Sequence, residues 1–270
     1  MRTLAHLSDL HFGRIDAALL GPLREAVCAV RPDVVVVSGD LTQRARRGQF
    51  AAARAFLAGL PEPQIVVPGN HDVPLYDIAR RFLAPLARFR RGITTDPAPW
   101  YRDGEVAVLG INSARSLTFK GGRINAGQVA LVRERFAALP PGTTRVLVTH
   151  HPFELPPGAD DDDRIGRAPM ALDAFAGIGV DILLSGHLHR THMAAGSEAI
   201  AASGALSIHA GTATSTRGRG EANTFNAISI APGRVEVVPW TWRPEQGAFV
   251  AIPARKFVRR DGRWGESSVA

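Results

Sequence analysis

The sequence predicts an α/β fold built on short, buried strands. Five apolar runs of strand length each end in a polar residue: LAHLSDLH, DVVVVSGD, QIVVPGNH, RVLVTH and DILLSGHLH. Segments with the apolar spacing of helices lie between these runs, an alternation typical of parallel strands joined by helices. After Gly204 the pattern changes to consecutive strands, and Ala231-Pro232-Gly233 predicts the turn of a hairpin.

The elements follow in order along the chain. The first strand precedes Asp9, and Pro32 ends the helix that comes after it. Helices are predicted at Ala17–Val30, Gly48–Gly59, Asp77–Arg88 with a break at Pro85, Asn125–Ala138 and Ala168–Ala176. Further strands are predicted at Asp33–Ser38, Ile65–Val67, Glu105–Ile111, Arg145–Thr149, Asp181–Ser185, Ala205–His209, Thr224–Ile230 and Arg234–Trp242.

Length and composition are those of one large domain. The chain has 270 residues with 45% hydrophobic content, enough for a single core. We predict a domain at 1–242 and a C-terminal extension at 243–270, where the periodicity is weak. Cys28 is the only cysteine, so no intrachain disulfide can form, and we expect it to be a small core residue of the first helix.

The positive charge favours small anionic substrates over nucleic acid. The formal net charge is +7, but Lys120 and Lys256 are the only lysines, and the arginines are scattered among alanines. Duplex binding would need a more continuous basic stripe. A general attraction of anionic substrates fits this distribution better, and nucleic acid is disfavoured as a partner.

The chain shows no pattern of a secreted or membrane protein. Met1-Arg2-Thr3 is too short for a signal peptide, because the first strand follows at once. The apolar stretches fall far below the roughly 18 residues of a membrane-spanning helix. We therefore expect a cytoplasmic protein without a membrane partner. A homodimer stays open, since dimers are the commonest assembly.

Residues with the chemistry of metal ligands end the five apolar runs. In an extended strand, residues two apart point to the same side, so each D-x-H or H-x-H pair should face one site together. Glycines before three of these residues let the backbone approach ions closely. Asp40 is the lone carboxylate between two strand-end groups, and we expect it to bridge two metals. The full set is Asp9, His11, Asp40, Asn70, His150, His187 and His189.

Such a ligand set predicts phosphoester hydrolysis. Two cations roughly 3.5–4 Å apart can clamp a phosphoryl group and lower the pKa of a shared water toward neutrality. The resulting hydroxide can attack phosphorus in line without an enzyme nucleophile. Mixed carboxylate, amide and imidazole ligands suit manganese, iron or zinc. We therefore predict a cofactor of two divalent metal ions.

The same residues resemble the calcineurin-like metallophosphoesterases. The family pattern of D-x-H, GD, GNH with D or E, a lone H, and GHxH corresponds to DLH, GD, GNHD, THH and GHLH in this chain. The resemblance runs from Asp9 to His189 and more loosely to about Trp242. The short arrangement is similar to bacterial class III cyclic-nucleotide phosphodiesterases. The resemblance implies a four-layer α/β/β/α sandwich of two mixed sheets, with the metals at the carboxyl ends of the strands.

The resemblance also implies a role for each site residue. His71 would contact phosphate and protonate the leaving oxygen, and Asp72 would orient His71 by a carboxylate–imidazole pairing. Asp9, His11 and His189 would hold one metal, Asn70, His150 and His187 the other, and Asp40 both.

The substrate is less constrained by the sequence. Asn70 and His71 would contact it. Asn112 and Arg115 follow a predicted strand and are candidates for the same pocket, because arginine binds phosphate through its fork. The acidic run Asp160–Asp163 is interpreted as a solvated loop face, with additional metal ligands as the alternative.

Three functions remain open at this point. The leading hypothesis is a phosphodiesterase for small molecules, with cyclic nucleotides as the first substrates to test. A phosphomonoesterase or nucleotidase could use the same metals. A non-catalytic interaction scaffold would be expected to have lost ligands or the proton donor, whereas all seven ligands and His71 are present here.

Overall fold

A computed structural model describes residues 1–195, 203–216 and 220–267. Two β-sheets lie face to face, and helices cover the outer face of each. The layers therefore run α/β/β/α, and both sheets mix parallel and antiparallel pairs. The four-layer sandwich of two mixed sheets is confirmed.

The strands are short, and most are buried. In chain order they are β1 Arg2–Leu7, β2 Val34–Val37, β3 Gln64–Val66, β4 Trp100–Arg102, β5 Val106–Gly110, β6 Thr144–Val148, β7 Ile182–Ser185, β8 His192–Ala195, β9 Leu206–His209, β10 Thr224–Ala231, β11 Arg234–Arg243, β12 Ala248–Ala251, β13 Arg255–Arg260 and β14 Arg263–Glu266. The first sheet has the order β14-β13-β11-β10-β1-β2-β3, with β12 beside β11, and the second has the order β4-β5-β6-β7-β9-β8.

Helices form the two outer layers. The α-helices are α1 Leu20–Val30, α2 Arg47–Leu57, α3 Ile78–Leu83, α4 Ala87–Gly92, α5 Ala126–Ala137 and α6 Ala168–Ile178. Short 3-10 helices lie at Ala17–Leu19, Asn70–Asp72 and Asp161–Asp163. α1, α2 and α4 pack on the first sheet through residues such as Phe50 and Phe89, and α5 and α6 pack on the second through Phe136 and Phe175.

Strand β2 shows how the sequence produces the middle layers. All four of its valines are at most 1% exposed. Val34 and Val36 point into the core between the sheets, whereas Val35 and Val37 point to the helices. A strand that is buried on both faces needs apolar side chains at every position, which explains an unbroken run of valine in place of an alternating pattern.

The predicted helices and strands are present within a few residues of their expected bounds. The Asp77–Arg88 segment is divided at Pro85 into α3 and α4, as proline requires. The edge strands β4 and β8 were not predicted, because they are short and carry polar residues. After residue 243, β12 and β13 pair with β11, and β14 pairs with β13. The domain boundary at 242/243 stays a prediction, with paired strands on both sides of it.

The expectation that Cys28 is a core residue is wrong. Its side chain is exposed on α1. The buried positions of this helix are Leu23, Ala26 and Val27, which follow the spacing of one helical face. Cys28 comes one residue after this stripe and therefore points to solvent, although its side chain is apolar.

Asp103 joins the two sheets at the edge away from the ligand-bearing loops. It lies in the turn between β4 and β5, and its carboxylate accepts hydrogen bonds from Tyr101 Oη at 2.9 Å and from the backbone nitrogens of Glu105 and Val106 at 2.7 and 2.9 Å. Arg2 Nε of β1 donates across to Asp103 Oδ2 at 2.6 Å. Partial burial alone would raise the pKa of Asp103, but these hydrogen bonds lower it to about 2.

We expect Asp103→Asn to lower the free energy of unfolding by about 1–2 kcal/mol at neutral pH. The ordinary pKa of this carboxyl is 3.8 and the folded value is about 2. Its stabilising contribution is therefore complete above the unfolded pKa and is lost as the pH falls through the folded pKa. Urea unfolding of wild type and variant, from above pH 3.8 down to about pH 2, measures the difference in the free energy of unfolding. The exposed Asp173→Asn is the control. If the difference in the free energy of unfolding between wild type and variant stays constant over these pH values, this account is wrong.

Candidate metal centre

The predicted ligands lie together at the carboxyl ends of the strands of both sheets. The first sheet supplies ligands from the loops after β1, β2 and β3, and the second supplies them from the loops after β6 and β7. Their contacts connect Asp9, His11, Asp40, Asn70, His150, His187 and His189 in one cluster. The convergence that the five apolar runs predicted is therefore present in the structure.

One half of the cluster consists of Asp9, His11 and His189. The Nε2 atoms of the two histidines lie 3.2 Å apart. Asp9 Oδ1 is 3.4 Å from His11 Nε2 and 3.3 Å from His189 Nε2. Two imidazole nitrogens and a carboxylate oxygen that converge in this way form the donor set of a cation site.

The other half contains Asn70, His150 and His187. His150 Nδ1 donates to the carbonyl oxygen of Ser38 at 2.7 Å, and its Nε2 lies 3.2 Å from Asn70 Oδ1. A ring whose Nδ1 is held by a backbone carbonyl presents Nε2 as the ligand atom. The ring centre of His187 is 5.2 Å from that of His150.

Asp40 faces both halves at once. Its Oδ2 lies 3.6 Å from His11 Nε2 and 3.4 Å from His150 Nε2. Its Oδ1 accepts a hydrogen bond from the backbone nitrogen of His71 at 2.8 Å. One carboxylate thus stands between the two groups of ligands.

Left-handed backbone conformations aim most of these side chains. Nine non-glycine residues among those described have positive φ, and five of them are Asp9, His11, Asp40, His187 and His189, with φ between 51° and 73°. The explanation of the D-x-H and H-x-H pairs by strand alternation is therefore wrong, because the strands end before these residues. Such conformations cost on the order of 1–3 kcal/mol each and concentrate at functional sites.

The electrostatics of the cluster favour positive charge. Asp9 and Asp40 are at most 1% exposed, and Asp9 Oδ1 has no hydrogen-bond partner among the described residues. Burial alone would raise the pKa of Asp40, yet the nearby histidines hold it well below its ordinary value. Burial would likewise lower the pKa of His150, but Asp40 raises it to about 9. Carboxylates this deeply buried need cationic partners, and the mixed donors fit divalent manganese, iron or zinc.

His71 lies at the edge of the cluster and is only half-buried. Its ring meets that of His11 edge-on, with the centroids 4.9 Å apart. Its Nδ1 lies 3.0 Å from the carbonyl oxygen of Gln43 and 3.2 Å from Arg44 Nη1. His71 is therefore placed beside the cluster, with a guanidinium next to it.

Asp72 acts on the backbone around the cluster. Its carboxylate accepts hydrogen bonds from the backbone nitrogens of Leu41, Thr42 and Gly69, and from Thr42 Oγ1, at 2.9–3.1 Å. Burial and the nearby Asp40 raise its pKa to about 6. These four hydrogen bonds differ from the carboxylate–imidazole pairing implied by the resemblance, since they use the carboxylate to join the loops after β2 and β3.

Asn112 and Arg115 hold their own loop. Arg115 donates to the carbonyl oxygens of Asn112 and Ala114 at 3.1 and 2.9 Å, and to Gln128 Oε1 at 2.6 Å. Asn112 Oδ1 accepts from the backbone nitrogen of Ala114 at 2.9 Å. Their hydrogen bonds thus go to the loop after β5 and to α5, and a substrate contact for either remains a prediction.

Asp163 is a site residue that sequence reasoning missed. The solvated-loop interpretation holds for Asp160, Asp161 and Asp162, which are exposed, but it is wrong for Asp163, which is 2% exposed. Its Oδ1 lies 3.1 Å from His187 Nε2 and 2.8 Å from Lys120 Nζ. The sequence holds no signal for this contact, because the loop geometry alone selects which of four aspartates points inward.

His151 adjoins the cluster but has both ring nitrogens engaged. Nδ1 lies 2.8 Å from Ser113 Oγ, and Nε2 lies 2.9 Å from the carbonyl oxygen of Lys120. Burial, with His187 and His150 nearby, holds its pKa well below the ordinary value. The ring nitrogens of His151 thus meet Ser113 and Lys120, which lie outside the cluster, whereas His150 Nε2 faces the cluster atom Asn70 Oδ1.

The sequence model of the calcineurin-like phosphoesterases matches residues 2–191. The match includes every residue of the cluster. The chain belongs to this family. The His/Asp groups described above are placed so that they could hold metal ions.

Individual proteins are similar to this chain over part of its sequence or in its fold. The chain is 40% identical over 85 residues to the glycerophosphodiester phosphodiesterase GpdQ of Enterobacter lignolyticus, a match that spans 26% of this chain and only 29% of that protein. The fold is similar to that of purple acid phosphatase PPD1 from yellow lupin, with a TM-score of 0.67, 11% identity, and coverage of 96% of this chain and 54% of that one. It is also similar to a dimetal phosphatase from Danio rerio, with a TM-score of 0.63, 15% identity, and coverage of 93% and 98%.

Across residues 1–195, 203–216 and 220–267, no helix combines the length and the apolar character that crossing a bilayer requires.

We expect Gly69→Ala to displace Asp40. A Cβ at position 69 would lie 2.1 Å from Asp40 Oδ1 and 2.4 Å from the Asp40 backbone nitrogen. The clash should lower the free energy of unfolding by about 1–3 kcal/mol and reduce metal binding together with it. Gly177→Ala in α6 is the control, because a Cβ there meets nothing within 4 Å. Thermal unfolding and metal titration of both variants check this, and equal behaviour would contradict the close approach of Gly69.

Proposed function

We propose that this calcineurin-like phosphoesterase hydrolyses small phosphodiesters at a centre of two divalent cations. Asp40 carries the proposal, because its Oδ2 lies within 3.6 Å of ligand nitrogens in both halves of the cluster. Asp40 would bridge the cations. One cation would be held by Asp9, His11 and His189, and the other by Asn70, His150 and His187.

The chain's own groups would divide the chemistry among them. When bound, two divalent cations supply Lewis acidity to the phosphoryl oxygens and activate a water for in-line attack. His71 stands beside the bridge on the half-buried side of the cluster, where it could give a proton to the leaving oxygen. Arg44, at 3.2 Å from the His71 ring, adds a positive charge on the same side.

A diester is supported better than a monoester. The curated relative that matches over 85 residues is a glycerophosphodiester phosphodiesterase. The family resemblance makes cyclic nucleotides the first small diesters to test, and phosphomonoesters are the competing substrates. Metal identity among manganese, iron and zinc, a cytoplasmic location and a homodimer stay predictions, as does the absence of nucleic acid among its partners.

The reconstituted protein should bind about two ions per chain and cleave diesters faster than the matching monoesters. Asp40→Ala should bind less than about one ion per chain and lose activity, because removing the bridge disturbs both halves of the cluster. Elemental analysis after removal of free metal gives the stoichiometry, and bis(p-nitrophenyl) phosphate against p-nitrophenyl phosphate gives the preference. Asp173→Ala, on the exposed face of α6, is the control. If Asp40→Ala retains two ions, the bridging role of Asp40 is wrong. If the monoester is cleaved faster than the diester, the preference for diesters is wrong.

We expect His71→Ala to keep its metals and to lose activity according to the leaving group. Proton donation supplies roughly 10²–10⁴-fold when the leaving alkoxide is poor. The loss should therefore be large for a cyclic nucleotide or an alkyl diester and small for a nitrophenyl diester, whose leaving group departs without a proton. Comparison of kcat/KM on both substrates measures this. Equal losses with metals retained would make His71 a phosphate-binding residue only.

Asp163→Asn should weaken metal binding by roughly 10–100-fold, the effect of removing a carboxylate that orients a ligating histidine. The change keeps the size of the side chain but removes the charge that faces His187 Nε2. Calorimetric titration of the metal-free protein with the metal ion measures the metal affinity directly. Asp162→Asn is the matched control, because that residue belongs to the same acidic run and is exposed. Equal affinity in both variants would show that the Asp163 contact does not position His187.

A further inference from the structure

Two segments beside the metal centre carry most of the exposed large apolar side chains of the described residues. Among the described residues, eight large apolar side chains are exposed, and the two outside these segments are Met1 and Met170. The other six are between 53% and 86% exposed. We call them the apolar rim: Tyr76, Ile78, Phe82, Leu83, Leu117 and Phe119.

A buried arginine holds the two segments of the apolar rim together. Arg81 of α3 is 3% exposed. Its guanidinium donates to the carbonyl oxygens of Pro74 at 2.9 Å, Ser116 at 2.7 Å and Thr118 at 2.7 Å. It also lies 4.5 Å from the centre of the Phe119 ring. Three carbonyl groups and a ring around one buried cation define the relative position of α3 and the 116–119 loop, so the rim is a built surface.

The apolar rim begins at the opening of the metal centre. Asn70 and His71 are half-buried, whereas the other cluster residues and Asp72 are buried, so the centre opens on the side of these two residues. Asn70 Nδ2 donates to the carbonyl oxygen of Phe119 at 3.3 Å. Arg44, next to His71, lies 5.9 Å from the centre of the Tyr76 ring. The opening is therefore bordered by the rim both at Asn70 and at His71.

We propose that the apolar rim binds the non-leaving ester group of the substrate, so that the preferred substrates are phosphodiesters with an apolar chain on one ester. This inference rests on the phosphodiesterase function proposed above. Because the centre opens on the side of Asn70 and His71, an ester group of a diester bound there would leave the centre beside the rim. A group of exposed apolar side chains beside a site is typical of a place where apolar groups bind.

A second copy of the chain fits the rim less well as an occupant. Because the rim touches Asn70 directly and His71 through Arg44, a protein surface that covered it would also cover the opening. Substrate entry would then be blocked, whereas a chain belonging to the substrate itself covers the rim only during turnover.

A series of p-nitrophenyl alkyl phosphates tests this assignment, because the leaving group is constant and only the second ester varies. We expect kcat/KM of the metal-loaded wild-type protein to rise about tenfold or more from the methyl to the octyl ester, measured below the concentration at which micelles form. The double variant Leu83→Ser/Leu117→Ser should lower the octyl-to-methyl ratio at least about threefold. Met170→Ser, an exposed apolar residue of α6 outside the rim, is the matched control and should keep the wild-type ratio.

The outcomes separate this inference from the function on which it rests. If no ester of the series is cleaved, the phosphodiesterase proposal fails. If the methyl ester is cleaved but the wild-type series is flat, only the assignment of the rim is overturned, whatever the folding of the variants. If the wild-type series is flat and the wild-type protein is a dimer that dissociates in the double variant, the rim binds a second copy of the chain. If the series is flat and the protein binds phosphatidylcholine vesicles, the rim binds a membrane surface.

Discussion

The placement of one carboxylate between two sheets is the constraint on which the rest of this structure depends. Asp40 must face His11 from the first sheet and His150 from the second at 3.6 and 3.4 Å. That is feasible only where loops from different layers pack almost backbone to backbone. At Gly39, a Cβ would come within 2.7 Å of the His150 ring, and at Gly186 it would come within 1.8 Å of Ser8 Oγ. The sandwich therefore closes tightly at this edge, and Asp72 ties the loops after β2 and β3 into the same arrangement.

The sequence predicted which residues meet at this edge but not how they are aimed. Parallel strands deliver their carboxyl ends to a common edge, so an apolar run that ends in Asp, Asn or His carries information about position in space. The left-handed conformations of Asp9, His11 and His189 carry no such signal, because they are imposed by packing and not by residue type. A pattern of residues two apart suggested strand alternation, and the loops achieve the same convergence by a different route.

Contacts between distant loops could not be read from the sequence either. Asp163 belongs to a run of four aspartates, and only the fold decides that this one meets Lys120 and His187. Arg81 looks like one more scattered arginine of an amphipathic helix, yet it is buried among three carbonyl groups. Cys28 shows the opposite case: its side chain is apolar, but its position on α1 is one residue beyond the buried stripe. Composition describes the residue types, whereas the neighbours are set by topology.

The cluster also joins parts of the chain that are far apart in sequence. Asp9 accepts a hydrogen bond from the backbone nitrogen of His187, 178 positions later. A cation shared by such residues would act as a reversible staple across most of the polypeptide, in a chain whose single cysteine excludes an internal disulfide. Unlike a disulfide, this staple would leave the unfolded chain unrestrained and would stabilise the native state by mass action. The heat resistance of this protein would then be a property of the solution as much as of the sequence, rising and falling with the free metal around it.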